Sequence, residues 1–258
     1  MHQPSESLPR ITSDTALFLD FDGTLVALAS QPHLVQVTPD LIGTLALLRR
    51  RLGGALALVS GRALADLDGF LCPLRLPAAG EHGADRRTAD GHVLSAPRAF
   101  DLTSALAAAA GLAAQYPGLL LERKRLAFSL HYRQAPELED LCLRVMREAV
   151  ARCGGAALTR GKCVIDVTPA GVSKGTAIAA FIGEAPFAGR QPIFAGDDVT
   201  DEAGFEQVLR LGGHAIKVGL GPTAAGVRCA GVQVVGDWLR SASLALPEPA
   251  KFAREVSA

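Results

Sequence analysis

The sequence has no excess of either charge: 26 Lys and Arg face 26 Asp and Glu across 258 residues. That balance excludes nucleic-acid binding as a main role, because neutralising a phosphate backbone needs a concentrated surplus of cations. A short basic run such as Arg123-Lys124-Arg125 reads as a solvated face or an anion clamp. The Ala-rich run from Ala105 to Ala114 is too short to cross a bilayer. The first residues, MHQPSESLPRITSD, show no basic patch leading into an apolar run, so no signal peptide is expected. The five cysteines (Cys72, Cys142, Cys153, Cys163, Cys229) are widely spaced without a CxxC, and no two histidines form HxxxH or HExxH. Reduced core thiols in a cytoplasmic protein are expected, and no zinc site. A GxxxxGK[ST] phosphate loop is missing, and Gly219-Leu220-Gly221-Pro222-Thr223-Ala224 lacks the third glycine of a dinucleotide fingerprint. Aromatics make up only 5% of the chain, so packing should rest on Leu, Ala, Val and Ile within a hydrophobic fraction of 49%.

What is present is a repeating rhythm. Ala16–Leu19 reads as a buried strand running into Asp20-Phe21-Asp22-Gly23. Thr38-Pro39-Asp40 supplies an N-cap, an N1 proline and a first-turn acid for a helix carrying Leu41, Leu45, Leu48 and Leu52. Ala55–Val59 is a second continuous apolar strand, and such strands belong to parallel sheets covered on both faces. The rhythm returns with a helix over Thr176–Ile182, a strand over Pro192–Ala195, a helix over Asp201–Leu211 and a strand over Ala215–Val218. A short helix over Thr223–Cys229 and a last helix over Gly236–Leu246 follow, and the remaining tail reads as a loosely held end. The middle differs. A hairpin (Arg86–Thr88, His92–Leu94), a helix (Asp101–Gln115), two strands (Leu119–Arg123, Ala127–Tyr132), a helix (Pro136–Cys153) and a strand (Val164–Val167) make an α+β unit. Asp22 and Ser60 stand 38 residues apart, one crossover's worth, whereas Ser60 and Lys174 stand 114 apart. A small domain is therefore inserted into an α/β core: residues 99–168 within a core of 1–98 and 169–258. A ligand cleft is expected between them.

Asp20 and Asp22 sit two apart in a turn beyond a buried strand, where open α/β sheets bind ligands. Asp20 suits a nucleophile or a metal ligand, and Asp22 an acid/base; the bland alternative is a solvent-facing Asp-Gly turn. Asp197, Asp198 and Asp201 follow another buried strand and offer the hard oxygen ligands that Mg²⁺ prefers, although first-turn acids at a helix start would look similar. Ser60 and Gly61 could form an anion nest, or Ser60 could simply cap a helix. Lys174 opens a helix, where a cation opposes the dipole and so answers a bound anion. Together these residues fit one reaction: in-line attack of Asp20 on phosphorus, proton transfer by Asp22, and charge neutralisation by Mg²⁺ and Lys174.

FLDFDGTL (Phe18–Leu25), the Ser60 turn, Ser173-Lys174-Gly175 and GDDVTDE (Gly196–Glu202) resemble the four motifs of the haloacid dehalogenase-like (HAD) phosphatase superfamily. HYRQAP (His131–Pro136) and GKCVIDVTP (Gly161–Pro169) resemble, more narrowly, the phosphatases of trehalose 6-phosphate within it. The resemblance implies a Rossmann-like parallel-sheet core with an inserted α+β cap of the C2 type. It implies Asp20 as nucleophile, Asp22 as general acid/base, and Ser60, Gly61 and Lys174 as phosphate ligands. It further implies Mg²⁺ on Asp20, the Asp22 backbone carbonyl and Asp197, supported by Asp198 or Asp201, and sugar contacts from Lys124, His131, Arg133, Lys162 and Asp166. Two positions depart from the pattern: Asp166 replaces a glutamate and Arg125 a glycine. The expected activity is hydrolysis of trehalose 6-phosphate to trehalose and phosphate, with other sugar phosphates (sucrose, mannosylglycerate or hexose phosphates) as the alternative. No membrane partner is expected, and the substrate should come from a separate trehalose-6-phosphate synthase.

Overall fold

The structure, a computed structural model, describes residues 7–29, 31–96 and 101–248. In chain order the first elements are β1 (Thr15–Leu19), α1 (Pro39–Arg51), β2 (Leu56–Val59), α2 (Leu64–Leu71), β3 (Ala78–Gly80), β4 (Asp85–Arg87) and β5 (Val93–Ser95). The insert supplies α3 (Thr103–Gln115), β6 (Leu120–Arg123), β7 (Phe128–His131), α4 (Glu139–Ala151), β8 (Ala156–Gly161) and β9 (Val164–Pro169). The chain then returns through α5 (Lys174–Ile182), β10 (Gln191–Gly196), α6 (Glu202–Arg210), β11 (His214–Val218), β12 (Val227–Cys229) and α7 (Val232–Ala245).

Eight strands form the core sheet in the order β12-β11-β10-β1-β2-β3-β4-β5. Pairing is parallel from β12 to β3, and the β4–β5 hairpin extends the sheet antiparallel. β1 is buried at every residue, which is why it reads as an unbroken apolar run. The chain builds outward from β1 through β2 and β3, crosses into the insert, and re-enters on the other side of β1 as β10. The strand order therefore reverses between β1 and β10, and a crevice opens beyond their carboxyl ends.

Three expectations need correction. Thr223–Cys229 is no helix: its last three residues form the parallel edge strand β12. The hairpin, grouped above with the α+β middle, pairs with the core sheet, on the core side of the boundary expected at residues 98 and 99. Aromatics matter more than 5% suggests, because seven of the ten phenylalanines are fully buried. Phe18 of β1 clusters with Phe181 and Phe187, ring centroids 5.1–5.9 Å apart.

The insert has its own antiparallel sheet, β6-β7-β9-β8. Its helix α4 buries Cys142, Leu143, Met146, Ala149 and Val150 in a hydrophobic cluster separate from that of the core. The expected junction at residues 98 and 99 lies outside the described residues, as does the tail from 249 onward. None of the five cysteines is in a disulfide.

Candidate active site

The switch point gathers the acids. Asp20 leaves β1 with its amide donating to Ala195 O on β10 (2.9 Å), while Asp197 follows β10 directly. A 3₁₀ turn, Val199–Asp201, folds Asp201 back beneath them, fully buried. Carboxylate oxygens of Asp20, Asp197 and Asp201 all lie within 4.8 Å of one another. Two glycines permit this convergence. A Cβ on Gly23, whose φ is +77°, would lie 2.2 Å from Asp197 Oδ2, and one on Gly196 would lie 2.3 Å from Asp201 Cγ. Lys217, buried on β11, donates to Asp197 O (2.6 Å) and fixes that turn.

Lys174 Nζ, the first residue of α5, donates to Asp20 Oδ1 and Asp201 Oδ1, both at 2.7 Å. Its misplacement against the helix dipole is offset by these two anions. Burial opposes its charge, but Asp20 and Asp201 outweigh that and hold the ammonium protonated beyond its ordinary range. One cation cannot balance three carboxylates. Asp20 is pushed well above the usual carboxylate range, by burial first and then by Asp201 and Asp197 against the pull of Lys174. Asp197 is pushed up to about 7 by burial, Asp201 and Asp198. Oxygen donors crowded into mutual repulsion are the chemistry of a hard divalent cation site, and Mg²⁺ fits Asp20, Asp197 and Asp201.

Asp198 points elsewhere. Its carboxylate accepts the amide of Lys162 (3.2 Å) from the insert, and its own amide donates to Asp201 Oδ2 (2.8 Å). The Asp22 carboxylate is held in a two-pronged pair by Arg62, Nε to Oδ2 at 2.6 Å and Nη2 to Oδ1 at 2.7 Å. Arg62 in turn lies over the Phe70 and Phe21 rings, 4.7 and 5.5 Å from their centroids. Ser60 is buried at the end of β2, and its hydroxyl accepts the Arg62 amide (3.2 Å). It does not cap α2, whose N-cap is Ala63.

A cavity of about 320 Å³ opens above these groups, lined by Asp20, Asp22, Ser60, Gly61, Lys174, Asp197 and Asp198 from the core. Lys124, His131, Arg133, Lys162 and Asp166 line it from the insert, so each of the expected sugar-contact residues faces the cleft. His131 Nε2 meets Glu122 Oε2 at 2.8 Å. Burial pushes the Glu122 carboxyl up, but His131 and Lys124 outweigh it and leave it below its ordinary range. Lys124 Nζ donates to Gly61 O (2.9 Å) and lies 3.7 Å from Asp166 Oδ1. Asp166 also accepts the Ser129 hydroxyl (2.5 Å). Burial drives Asp166 up, yet His82, Lys124 and Ser129 together hold it far below the carboxylate range.

The sequence reading missed the residues that tie the insert to the core. Glu81, buried and at φ +48°, accepts the amides of Arg125 (2.9 Å) and Leu126 (3.0 Å). Arg125 Nε reaches Asp85 Oδ2 at 2.9 Å, and its Nη2 reaches Asp85 Oδ1. The bulk that replaces glycine at 125 thus has a charged partner on β4. Arg62, His82 and Glu122 were missed as well. Their signals are structural: left-handed backbone at 81 and 82, and cross-strand register in the insert.

The trehalose-phosphatase family model matches residues 18–228. Trehalose-6-phosphate phosphatase of Escherichia coli K12 is 44% identical over 252 residues, covering 96% of this chain and 94% of that protein. A probable trehalose-phosphate phosphatase of Sinorhizobium fredii is 46% identical over 205 residues, covering 79% and 77%. A bifunctional trehalose-6-phosphate synthase/phosphatase of Thermoproteus tenax is 33% identical over 247 residues, which cover 90% of this chain and 32% of that one. Among solved structures, the C-terminal domain of Candida albicans trehalose-6-phosphate phosphatase superposes with a TM-score of 0.81 at 20% identity, covering 90% and 92%, and shows the shared fold. With the acids at the switch point and the sequence match running through both core and insert, the chain belongs to the trehalose-phosphatase family of the HAD superfamily.

Proposed function

We propose that the protein is a Mg²⁺-dependent phosphomonoesterase that hydrolyses trehalose 6-phosphate to trehalose and inorganic phosphate, in trehalose biosynthesis. The observation that carries this reading is the convergence of Asp20, Asp197, Asp201 and Lys174 at the floor of a cleft roofed by the insert. The named relatives supply the substrate.

An Asp20 oxygen attacks phosphorus in line. The new Asp20–phosphorus bond forms as the ester bond to the sugar oxygen breaks, and Asp22 gives that oxygen its proton. Asp22 then takes a proton from the water that attacks phosphorus, the bond to Asp20 breaks, and phosphate leaves. In the resting structure Arg62 engages both oxygens of the Asp22 carboxylate, so Asp22 acts as the acid only once one oxygen has left Arg62 and taken up a proton, and it returns to the Arg62 pair as the base form is restored. Ser60, the Gly61 backbone and Lys174 hold the phosphoryl oxygens. Asp20, Asp197 and Asp201, with the Asp22 carbonyl, would hold Mg²⁺, which would supply the positive charge that lets an anionic nucleophile approach an anionic ester. Residues 99–168 act as the specificity cap, with Lys124, His131, Arg133, Lys162 and Asp166, joined by Glu122, holding the disaccharide.

A separate trehalose-6-phosphate synthase supplies the substrate, and the reaction runs in the cytoplasm. Among the described residues no helix is long and apolar enough to cross a membrane. Phosphate release from trehalose 6-phosphate, sucrose 6-phosphate and glucose 6-phosphate at equal Mg²⁺ tests the reading. Trehalose 6-phosphate should be strongly preferred; its survival while another sugar phosphate is cleaved would overturn the assignment.

A further inference from the structure

His82 carries a role that none of the phosphatase motifs includes. It follows β3 in a stretch where two consecutive non-glycine residues, Glu81 and His82, adopt left-handed backbone with φ of +48° and +61°. Such conformations persist only where surrounding contacts enforce them, and they gather at functional sites. Here Glu81 is held by the two cap amides, which leaves His82 projecting over the Ser60–Gly61 turn. The ring lies so close that a Cβ on Gly61 would be 2.7 Å from its Cε1 and Nε2.

The imidazole lines the cleft and is largely buried, with 12% of the side chain exposed. Its Nε2 lies 3.3 Å from Asp166 Oδ1, within reach of charge attraction but not aligned as a hydrogen bond. That nitrogen is one of few buried side-chain polar atoms among the described residues that lack a hydrogen-bond partner. A buried polar atom without a partner is costly. Nε2 has almost no exposed surface and faces Asp166, so a hydroxyl bound in this polar cleft would meet it as the ring or the Asp166 carboxylate turns toward the ligand. Lys124 Nζ and the Asp166 carboxylate converge on the same spot, so a hydroxyl there would meet donors and an acceptor together.

We infer that His82 is a substrate-binding residue that reads a hydroxyl of the sugar ring bearing the phosphate. Its placement against Gly61, next to Ser60, sets it beside the phosphate rather than at the far end of the disaccharide. Because His82 belongs to the core, it discriminates sugar esters from other phosphate esters without relying on the cap alone. The inference rests on the sugar-phosphate reading given above, and the experiment separates the two.

The measurement compares kcat and KM of the native enzyme, His82→Ala and His82→Gln with Mg²⁺, on trehalose 6-phosphate and on p-nitrophenyl phosphate, which has no sugar hydroxyl. Both variants keep a Cβ at the same backbone angles, and Gln restores a polar group near the Nε2 position. For His82→Ala, kcat/KM on trehalose 6-phosphate should fall at least tenfold, mainly through KM, while p-nitrophenyl phosphate changes less than twofold. His82→Gln should recover most of the loss. Parallel loss on both substrates, no rescue by Gln, or an unchanged trehalose 6-phosphate rate would overturn the inference. If the native enzyme prefers another sugar phosphate, the assignment of substrate fails on its own, and the same ratio is read on that sugar phosphate.

Discussion

The acid cluster makes a quantitative prediction about Mg²⁺ removal. An aspartate has an ordinary value of 3.8, and the folded protein raises Asp197 to about 7. Between those values the folded state keeps a proton that the unfolded chain releases. Folding stability from this group is therefore greatest at low pH and is lost as pH rises through that window. Three units correspond to roughly 4 kcal/mol in all, of which about 2 falls between pH 5 and 7. Asp20 is pushed the same way by its burial and adds to the slope. Lys174, held charged beyond its ordinary 10.5, contributes the same amount at every pH in this range. Mg²⁺ relieves the repulsion but competes with the same protons, so its stabilising increment grows from pH 5 to 8. Urea unfolding at pH 5, 6, 7 and 8, in EDTA and in Mg²⁺, measures both quantities. In EDTA the native protein should lose stability toward pH 7 and then level, and Asp197→Asn should be flatter. Equal slopes for the native protein and Asp197→Asn, or a Mg²⁺ increment the same at pH 5 and 8, would refute the reasoning.

Asp20→Asn should abolish phosphate release while leaving the circular dichroism spectrum unchanged; full activity would rule out the covalent route. Gly23→Ala forces a Cβ to within 2.2 Å of Asp197 Oδ2, and the Mg²⁺ concentration for half-maximal activity should rise at least tenfold. Glu81→Ala removes the buried acceptor of the Arg125 and Leu126 amides, bonds to a charged group worth about 1.5–3 kcal/mol each. Hydrogen exchange at those two amides should accelerate far more than in the core strands. Small-angle scattering with and without a phosphate mimic should show contraction on binding as the cap closes, and an unchanged envelope would count against closure.

The phosphoryl-transfer half of the site was legible because its residues sit at the ends of strands that announce themselves. β1 and β10 are continuous apolar runs, and an acid that ends such a run has little choice but the switch-point crevice. Asp197 and Asp201 could be grouped from spacing alone, but the sequence could not say that Asp198, between them, turns to the Lys162 amide. That choice is set by the 3₁₀ turn and the approach of β8, a strand absent from the sequence reading. AALTRG has an apolar run of only three residues, lies mostly half-buried, and follows two glycines. The partners of Arg125 were equally hidden. Asp85 precedes a hairpin that composition groups with the α+β middle, and only its pairing with β3 on the core sheet shows that the Arg125–Asp85 pair crosses between domains. No role for His82 could be read from its neighbours in sequence, since its placement depends on backbone angles and on the bareness of Gly61.

The seam between core and cap is polar throughout its described hydrogen bonds. Arg125 and Leu126 amides meet Glu81, the Arg125 guanidinium meets Asp85, Lys124 meets Gly61 O, the Lys162 amide meets Asp198, and Arg133 donates to Ala29 O (3.1 Å). The apolar clusters on either side share no residue. Water can replace polar contacts at a net cost of about 1 kcal/mol each for neutral pairs and more for charged ones, whereas parting two fused apolar cores would expose area with nothing to compensate it. A cap joined in this way should open to admit a disaccharide and close again without disturbing either core, the change that the scattering experiment reads. Of the charged contacts at this seam, Arg125 with Asp85 stands outside the cleft lining and His82 with Asp166 within it, whereas Lys124 pairs with Asp166 inside the cap, so the seam is held at its edge as well as in the cleft.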